Sequence, residues 1–326
     1  MITLGRPSSG SPGTGGSRSS TSRPAPPIDL ASSAATRAAW STTAPRLVLG
    51  TRPHQRESLS TDQVPGLRVS VRHSLRRVTY NLAAEFGEHR VIDTPLAEQA
   101  ATGFATGAAL LGWRPVLEFQ VPTLLYVAFD QVVNQAQKLS IMTGGQARVP
   151  VTYILPGSGT RLGLAGQHSD HPYALLAQAG VKTVVPATPA DAYALLRTAI
   201  QDDDPVAVFA PAALLGVREE LPDSIEAVAL GAGHIHRAGV DVTLVAVGHL
   251  VQIALAVAGE LAEQDISVEV FDPRSVYPFD WALLRSSVAK TGRLVVADDT
   301  NRTCGSPARS SRQSLRKCRF ARDPAE

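Results

Sequence analysis

Arg90-Val91-Ile92-Asp93-Thr94-Pro95-Leu96-Ala97-Glu98 is the stretch on which the reading of this 326-residue chain turns. Arg90 to Asp93 reads as a short strand, and Gln99 to Leu111, built almost entirely of Ala, Gly, Thr and Leu, as a helix stopped by Gly112. Glu98 therefore sits where a sheet edge meets a helix start, with little nearby to solvate it. A carboxylate there costs free energy unless something pairs with it, and strand ends are where α/β proteins bind ligands. A helix start also tolerates negative charge, so an ordinary first-turn carboxylate is the competing reading at this position.

Outward from this junction the pattern repeats. Tyr80 to Phe86 is a short helix, Arg114 to Phe119 a strand, Thr123 to Thr143 a long helix ended by Gly144-Gly145, and Val149 to Leu155 a buried strand. A glycine-rich loop carrying Gly157, Gly159, Gly163 and Gly166 follows. Next come a helix around Pro172 to Ala179, a strand from Lys182 to Pro186, a helix from Pro189 to Gln201 and a strand from Val206 to Phe209. Strands alternating with helices over short loops predict an α/β fold, a parallel sheet wrapped by helices on both faces. Past a linker with Glu219, Glu220, Pro222 and Asp223, a second α/β block has strands at 240–246, 267–272 and 293–297 and helices at 250–263 and 280–291. It halts at Asp298-Asp299. About two and a half βα units is thin for an independent domain, so this block is expected to be cut short. The domains are placed at 78–215 and 228–305.

The length suggests two ordinary domains. With 44% hydrophobic but only 5% aromatic residues, Ala, Val and Leu must fill the cores. A formal charge of +2 says nothing about nucleic acid, and Cys304 and Cys318 have neither metal-ligand spacing nor a disulfide framework around them. No run of about 18 residues is apolar without interruption, so no transmembrane helix is expected and the default is a soluble cytoplasmic protein. The average charge hides an asymmetry. Residues 1–77 contain no lysine and almost no acid (Asp29, Glu57, Asp62), recurrent arginine, and much Ser, Thr, Pro and Gly. Residues 306–326 are similarly basic (Arg309, Arg312, Arg316, Lys317, Arg319, Arg322). Neither segment has the periodicity to offset its ordering entropy, so both are expected to be disordered.

Few constellations carry chemistry. The loop Gly157-Ser158-Gly159-Thr160-Arg161-Leu162-Gly163 matches G-x-G-x-x-x-G, follows the third strand and lacks Gly-Lys-Ser/Thr, which opposes a nucleotide site and favours a backbone that approaches something closely. His168 and His171 are three residues apart, but without a helix to align them or further ligands they do not make a zinc site, and no metal ligand is assigned in this chain. His168, on a glycine-rich loop beyond a sheet's carboxyl edge, is placed for proton transfer; a loop-fixing hydrogen bond explains it equally well. Ser169 beside it makes no triad, since no G-x-S-x-G elbow exists. Gly103-Phe104-Ala105-Thr106-Gly107 puts two glycines four apart on the Glu98 helix, a small face inviting a partner helix. Leu124, Leu125, Tyr126 and Phe129 open the next helix as an apolar cluster.

Taken together, the 90–98 stretch, the Gly103–Gly107 helix, Arg114-Pro115 to Glu118-Phe119, Phe129-Asp130-Gln131, Gly144-Gly145-Gln146 and Gln167-His168-Ser169 resemble the beta subunits of the thiamine-diphosphate-dependent 2-oxo acid dehydrogenases. These are the pyruvate, branched-chain and acetoin dehydrogenase first components. Asp241 to Leu244, Ser267 to Arg274 and Lys290 to Arg293 fit the same family, from about Arg77 to Gly305 overall. The resemblance implies a pyrimidine-binding domain followed by a transketolase C-terminal-like domain. It implies that Glu98 hydrogen-bonds a pyrimidine nitrogen of thiamine diphosphate and promotes the imino tautomer that generates the ylide. The ylide then attacks a 2-oxo acid, carbon dioxide leaves, and the acyl group passes to a lipoyl group. It implies that His168 is the active-site histidine acting in protonation or lipoyl acylation, and that Gly103, Phe104 and Gly107 contact another subunit. The magnesium- and diphosphate-binding motif, Gly-Asp-Gly with a distant Asn, is missing here and belongs to the family's alpha subunit. An alpha2-beta2 heterotetramer serving a lipoyl-bearing acyltransferase is implied.

Three departures matter. The family's first strand should precede Val78, where Leu47-Val48-Leu49-Gly50 is a faint echo at the wrong distance. Leu124 stands where the family has an aromatic near the pyrimidine, so that contact falls to Leu124 or Tyr126. After Asn301 to Gly305 an arginine-serine tail replaces several family elements. Both ends are expected to reflect a frameshift or misplaced gene boundary in a GC-rich genome; an uninterrupted frame with peptides covering both tails would refute it. The competing function is a non-catalytic remnant that keeps only subunit pairing. A transit peptide is opposed by the early Gly and Pro, and nucleic-acid binding by the want of interleaved aromatics.

Overall fold

The computed structural model describes residues 82–87, 90–159, 166–221 and 225–301, and the backbone of 46–50. The expectations on residues 1–45, 51–81 and 302–326, including both basic tails, and on Arg161 to Gly163 of the glycine loop, lie outside the described residues.

The first block follows the predicted alternation. Its elements are β1 (Arg46–Gly50), α1 (Leu82–Phe86), β2 (Val91–Asp93), α2 (Glu98–Leu110) and β3 (Arg114–Glu118). A helical stretch then ends in α3 (Leu139–Met142), followed by β4 (Thr152–Ser158), α4 (Tyr173–Ala179), β5 (Lys182–Val184), α5 (Pro189–Gln201) and β6 (Val206–Pro211). The second block comprises β7 (His234–Arg237), β8 (Val242–Ala246), α6 (Leu250–Ala262), β9 (Val268–Asp272), β10 (Ser275–Tyr277), α7 (Trp281–Thr291) and β11 (Leu294–Ala297). The sheets run β10-β5-β6-β4-β3-β1-β2 and β11-β8-β9-β7.

The parallel sheet is confirmed for β3, β4, β6 and β5, which pair in parallel. The Leu47–Gly50 echo proves to be a strand of this sheet, antiparallel to both β2 and β3. Because β1 opposes both neighbours, β2 and β3 point the same way, and the carboxyl ends of β2, β3 and β4 share one edge. β10 adds antiparallel to β5, so a segment of the second block completes the first sheet. β10 has three residues and β7 four, too few for period-2 alternation to register, and neither was predicted.

The predicted helix over 123–143 is a correction. Pro122–Tyr126 is a 3-10 turn, Gln131–Gln137 a π-helix, and Leu139–Met142 a closing α-helical turn. Val132, Val133 and Ala136 stay buried throughout, so packing overrides the helical pattern; π-turns of this kind concentrate near functional sites. α2 packs against this segment closely: a Cβ on Gly103 would lie 3.0 Å from Gln131 Oε1. Ala101, Ala105 and Ala109 of α2 join Leu117, Phe119, Leu125, Tyr153, Leu155 and Phe209 in the main core. The helix satisfies its own buried hydroxyls, Thr102 Oγ1 donating to Glu98 O at 2.7 Å and Thr106 Oγ1 to Thr102 O at 3.0 Å.

Gly239 is the tightest point of the second block. A Cβ there would stand 2.2 Å from Glu269 N and from Val268 C. The buried Glu269 carboxylate accepts from Gly239 N at 3.3 Å, from Ser287 Oγ at 2.5 Å and from Lys290. Burial pushes its pKa up, but these donors outweigh it and hold the group below the usual carboxylate range. Gly239→Ala is expected to cost about 3 kcal/mol of stability, because backbone atoms, not a flexible side chain, obstruct the methyl. An unchanged thermal unfolding curve would contradict this.

Candidate active-site edge

Three chain segments leave the shared carboxyl edge. The first is the β2–α2 junction. Glu98 is the first residue of α2, its side chain is 8% exposed, and Ala97 before it offers no side-chain cap. Among the described residues no donor meets its carboxylate. With no donor from the described residues, the carboxylate of this largely buried residue is available to a ligand that enters the edge.

The second segment is the 3-10 turn after β3. Leu125 is fully buried and anchors it, Leu124 packs partly buried against the main core, and Tyr126 is 45% exposed. Tyr126 Oη donates to Asp170 Oδ2 at 3.1 Å. Burial, then the hydrogen bond and charge of Asp170, push the phenol up to about 12, so it remains a donor at any physiological pH.

The third segment is the loop after β4, which carries His168. Thr123 Oγ1 donates to Gln167 O at 2.7 Å and lies 3.5 Å from His168 Nδ1. With its proton committed to Gln167, the hydroxyl faces Nδ1 as an acceptor. That favours the Nδ1–H tautomer and leaves Nε2 as the basic nitrogen. The turn and the loop are thus clamped together at Thr123 and Tyr126, bringing Leu124, Tyr126 and His168 into one region, with Glu98 on the same sheet edge.

His171, paired with His168 in sequence, turns elsewhere. It is buried, its Nε2 lies 3.0 Å from Asp299 Oδ2, and its carbonyl accepts from Thr300 Oγ1 at 3.1 Å. Tyr173 bonds Asp298, and His249 Nε2 is 3.8 Å from Asp299 Oδ2. The glycine at 159 follows from this: at φ 100°, its missing Cβ would meet His171 Nε2 at 2.9 Å. The group that the loop backbone approaches is therefore an imidazole of the same chain. The carboxyl end of β11 in the second block thus fixes the far side of the His168 loop.

Burial raises the Asp299 pKa, but the hydrogen bond from His171 and the charges of His171 and His249 outweigh it and hold the group below its usual value. The sign follows. A depressed carboxylate contributes stability above its unfolded pKa and loses it as pH falls through the lower folded value. Hydrogen exchange across residues 166–173 is expected to accelerate below about pH 4, with Asp299→Asn fast already at neutral pH. Equal protection in both proteins at neutral pH would contradict this latch.

On α2, the predicted contact residues divide. Gly103 faces Gln131 within the chain, whereas Phe104 is 57% exposed and Gly107 has open space about it. Leu110 and Leu111 extend the exposed face. Thr123, Asp170, Asp299 and His249 were not singled out from sequence as site residues; Asp299 showed there only as the point where the second block stops. No helix among the described residues is long and apolar enough to cross a membrane.

Comparison with known proteins agrees with this architecture. The family pattern "Transketolase, pyrimidine binding domain" matches residues 56–217, and "Transketolase, C-terminal domain" matches residues 231–315. The acetoin:2,6-dichlorophenolindophenol oxidoreductase subunit beta of Bacillus subtilis is 43% identical over 229 residues, 70% of this chain and 66% of that protein. The pyruvate dehydrogenase E1 component subunit beta of Staphylococcus epidermidis is 40% identical, covering 74% of each chain. The 3-methyl-2-oxobutanoate dehydrogenase subunit beta of Mycobacterium tuberculosis is 42% identical over 74% of this chain and 69% of its own. Among solved structures, a split-gene transketolase described as an inactive beta4 tetramer superposes with a TM-score of 0.63 at 23% identity, over 74% of this chain and 76% of that one. That last likeness concerns the fold alone.

Proposed function

The chain belongs to the family of the beta subunits of 2-oxo acid dehydrogenase first components, with transketolase-type pyrimidine-binding and C-terminal domains, and from that premise we propose that it acts with an alpha subunit in the thiamine-diphosphate-dependent oxidative decarboxylation of a 2-oxo acid. The acyl product passes to the lipoyl group of an acyltransferase. The observation that carries this reading is Glu98, 8% exposed at the shared strand edge, whose carboxylate finds no donor among the described residues. Such an acceptor fits a cofactor whose aminopyrimidine presents nitrogen to it. When bound, thiamine diphosphate supplies the carbon nucleophile and electron sink that loss of carbon dioxide from a 2-oxo acid requires.

This chain's own residues do the rest. Glu98 accepts and returns a proton at its carboxylate. Leu124 and Tyr126, on a turn pinned by Leu125, border the pyrimidine. His168, basic at Nε2, moves a proton to or from the substrate or the lipoyl acceptor. The diphosphate and its magnesium are held mainly by the alpha subunit, since the Gly-Asp-Gly motif with its distant Asn does not occur here. Phe104 and Gly107, continued by Leu110 and Leu111, present an apolar face for subunit contact in an alpha2-beta2 heterotetramer, with Gly103 keeping α2 close to its own π-helix. The assembly operates in the cytoplasm.

The test is reconstitution with an alpha subunit, thiamine diphosphate and magnesium, measuring carbon dioxide release from 2-oxo acids. Turnover is expected with at least one 2-oxo acid. Assembly without turnover in every pairing would favour a non-catalytic pairing module instead.

A further inference from the structure

A second group of titratable side chains lies away from this edge, where α5 of the first block meets the second sheet. Asp191 comes from the first turn of α5, His236 from β7 and Asp272 from the end of β9. We propose that Asp191, His236 and Asp272 form a binding site for a zinc-class transition-metal ion that ties the two blocks together.

One ligand atom from each of the three residues lies within 4.8 Å of the others. His236 Nε2 and Asp272 Oδ2 are 3.2 Å apart. That is the separation of two ligands on a zinc tetrahedron, whose bonds of about 2.0–2.1 Å give edges of about 3.3 Å. Both carboxylates are buried, Asp191 at 4% and Asp272 at 0% exposure.

Arg274 arranges them as an outer shell arranges metal ligands. Its Nη2 holds Asp191 Oδ1 at 2.6 Å, and its backbone N, in the left-handed conformation at φ 54°, donates to Asp272 Oδ1 at 2.8 Å. Each carboxylate thus has one oxygen held by Arg274 and the other left over. The remaining oxygen of Asp272 faces His236, and Asp191 Oδ2 is buried with no hydrogen-bond partner among the described residues. A cation satisfies that orphan oxygen where the protein does not.

His234, whose ring centroid is 4.6 Å from that of His236, stands beside the group as a further imidazole. Two carboxylates and one guanidinium leave a single negative charge. Hard cations such as calcium and magnesium, which take oxygen-rich shells, are poorly served by this set. An imidazole-containing set suits zinc.

The test uses the full chain, stripped with chelator and dialysed against zinc or against magnesium, with bound metal measured by elemental analysis and thermal unfolding recorded. About one zinc per chain is expected to stay bound and raise the unfolding temperature, and magnesium to do neither. His236→Gln and Asp191→Asn are expected to lower zinc affinity about 100-fold or more, and His171→Gln, in the other histidine cluster, to leave it unchanged. Should Asp191→Asn fold poorly with Arg274 unpaired, His236→Gln alone decides. Cobalt substitution gives an independent readout, an intense tetrahedral visible spectrum present in the native chain and lost in His236→Gln. No retained zinc in the folded chain, or equal zinc affinity in His236→Gln, overturns the proposal.

Discussion

Glu98→Gln is expected to lower the turnover of the reconstituted assembly by about 1,000-fold while leaving the subunit folded. Glutamine keeps the size of the side chain and its ability to hydrogen-bond, but it cannot take up and return a proton. The folded state should not suffer. Among the described residues nothing donates to the Glu98 carboxylate, so the amide breaks no hydrogen bond there. The melting temperature is therefore expected to hold as activity falls. A fall in activity alone separates the role proposed for Glu98 from that of a helix-start acid, whose loss would destabilise α2. A parallel fall in both quantities would support the helix-start reading.

His168→Ala is expected to lower turnover by about 100-fold, with assembly and cofactor affinity retained. His168 is only half-buried, and its one close polar neighbour among the described residues is the Thr123 hydroxyl at 3.5 Å, so truncation breaks no strong hydrogen bond to them. Thr123 still holds Gln167 O, and Tyr126 with Asp170 still clamps the loop. The loop is thus expected to keep its course without the imidazole. If His168 only fixes the loop, hydrogen exchange across 166–171 would rise in His168→Ala and turnover would fall only as far as loop order does. Unchanged exchange with a deep loss of turnover is the expected outcome.

The parallel core and the Glu98 helix were legible because their signals are local. A short apolar strand, a turn and an alanine-rich helix announce a βα unit whatever surrounds them, and Glu98 stood out by its place at that junction. The division of 122–142 into a 3-10 turn and a π-helix was not legible, because it comes from packing: Gly103 lets α2 lie against Gln131. The positions of β1 and β10 were also hidden, since strand pairing across the chain leaves no periodic trace in a three- to five-residue run. The same holds for the groups around His168. Asp299 meets His171 across 128 residues, and Asp191 meets His236 and Asp272 only once the two blocks are docked. The sequence sets His168 and His171 three residues apart without the further ligands of a metal site. The fold directs one toward Thr123 and the other toward Asp299, because Gly159 opens room for the His171 ring.

The most direct test is carbon dioxide release in a single turnover, with the native chain and Glu98→Gln each assembled with the alpha subunit at saturating thiamine diphosphate and magnesium. Release by the native assembly, and its near-disappearance in Glu98→Gln at equal cofactor occupancy, is expected. Equal release from both would remove Glu98 from the chemistry and with it the proposed role of this sheet edge.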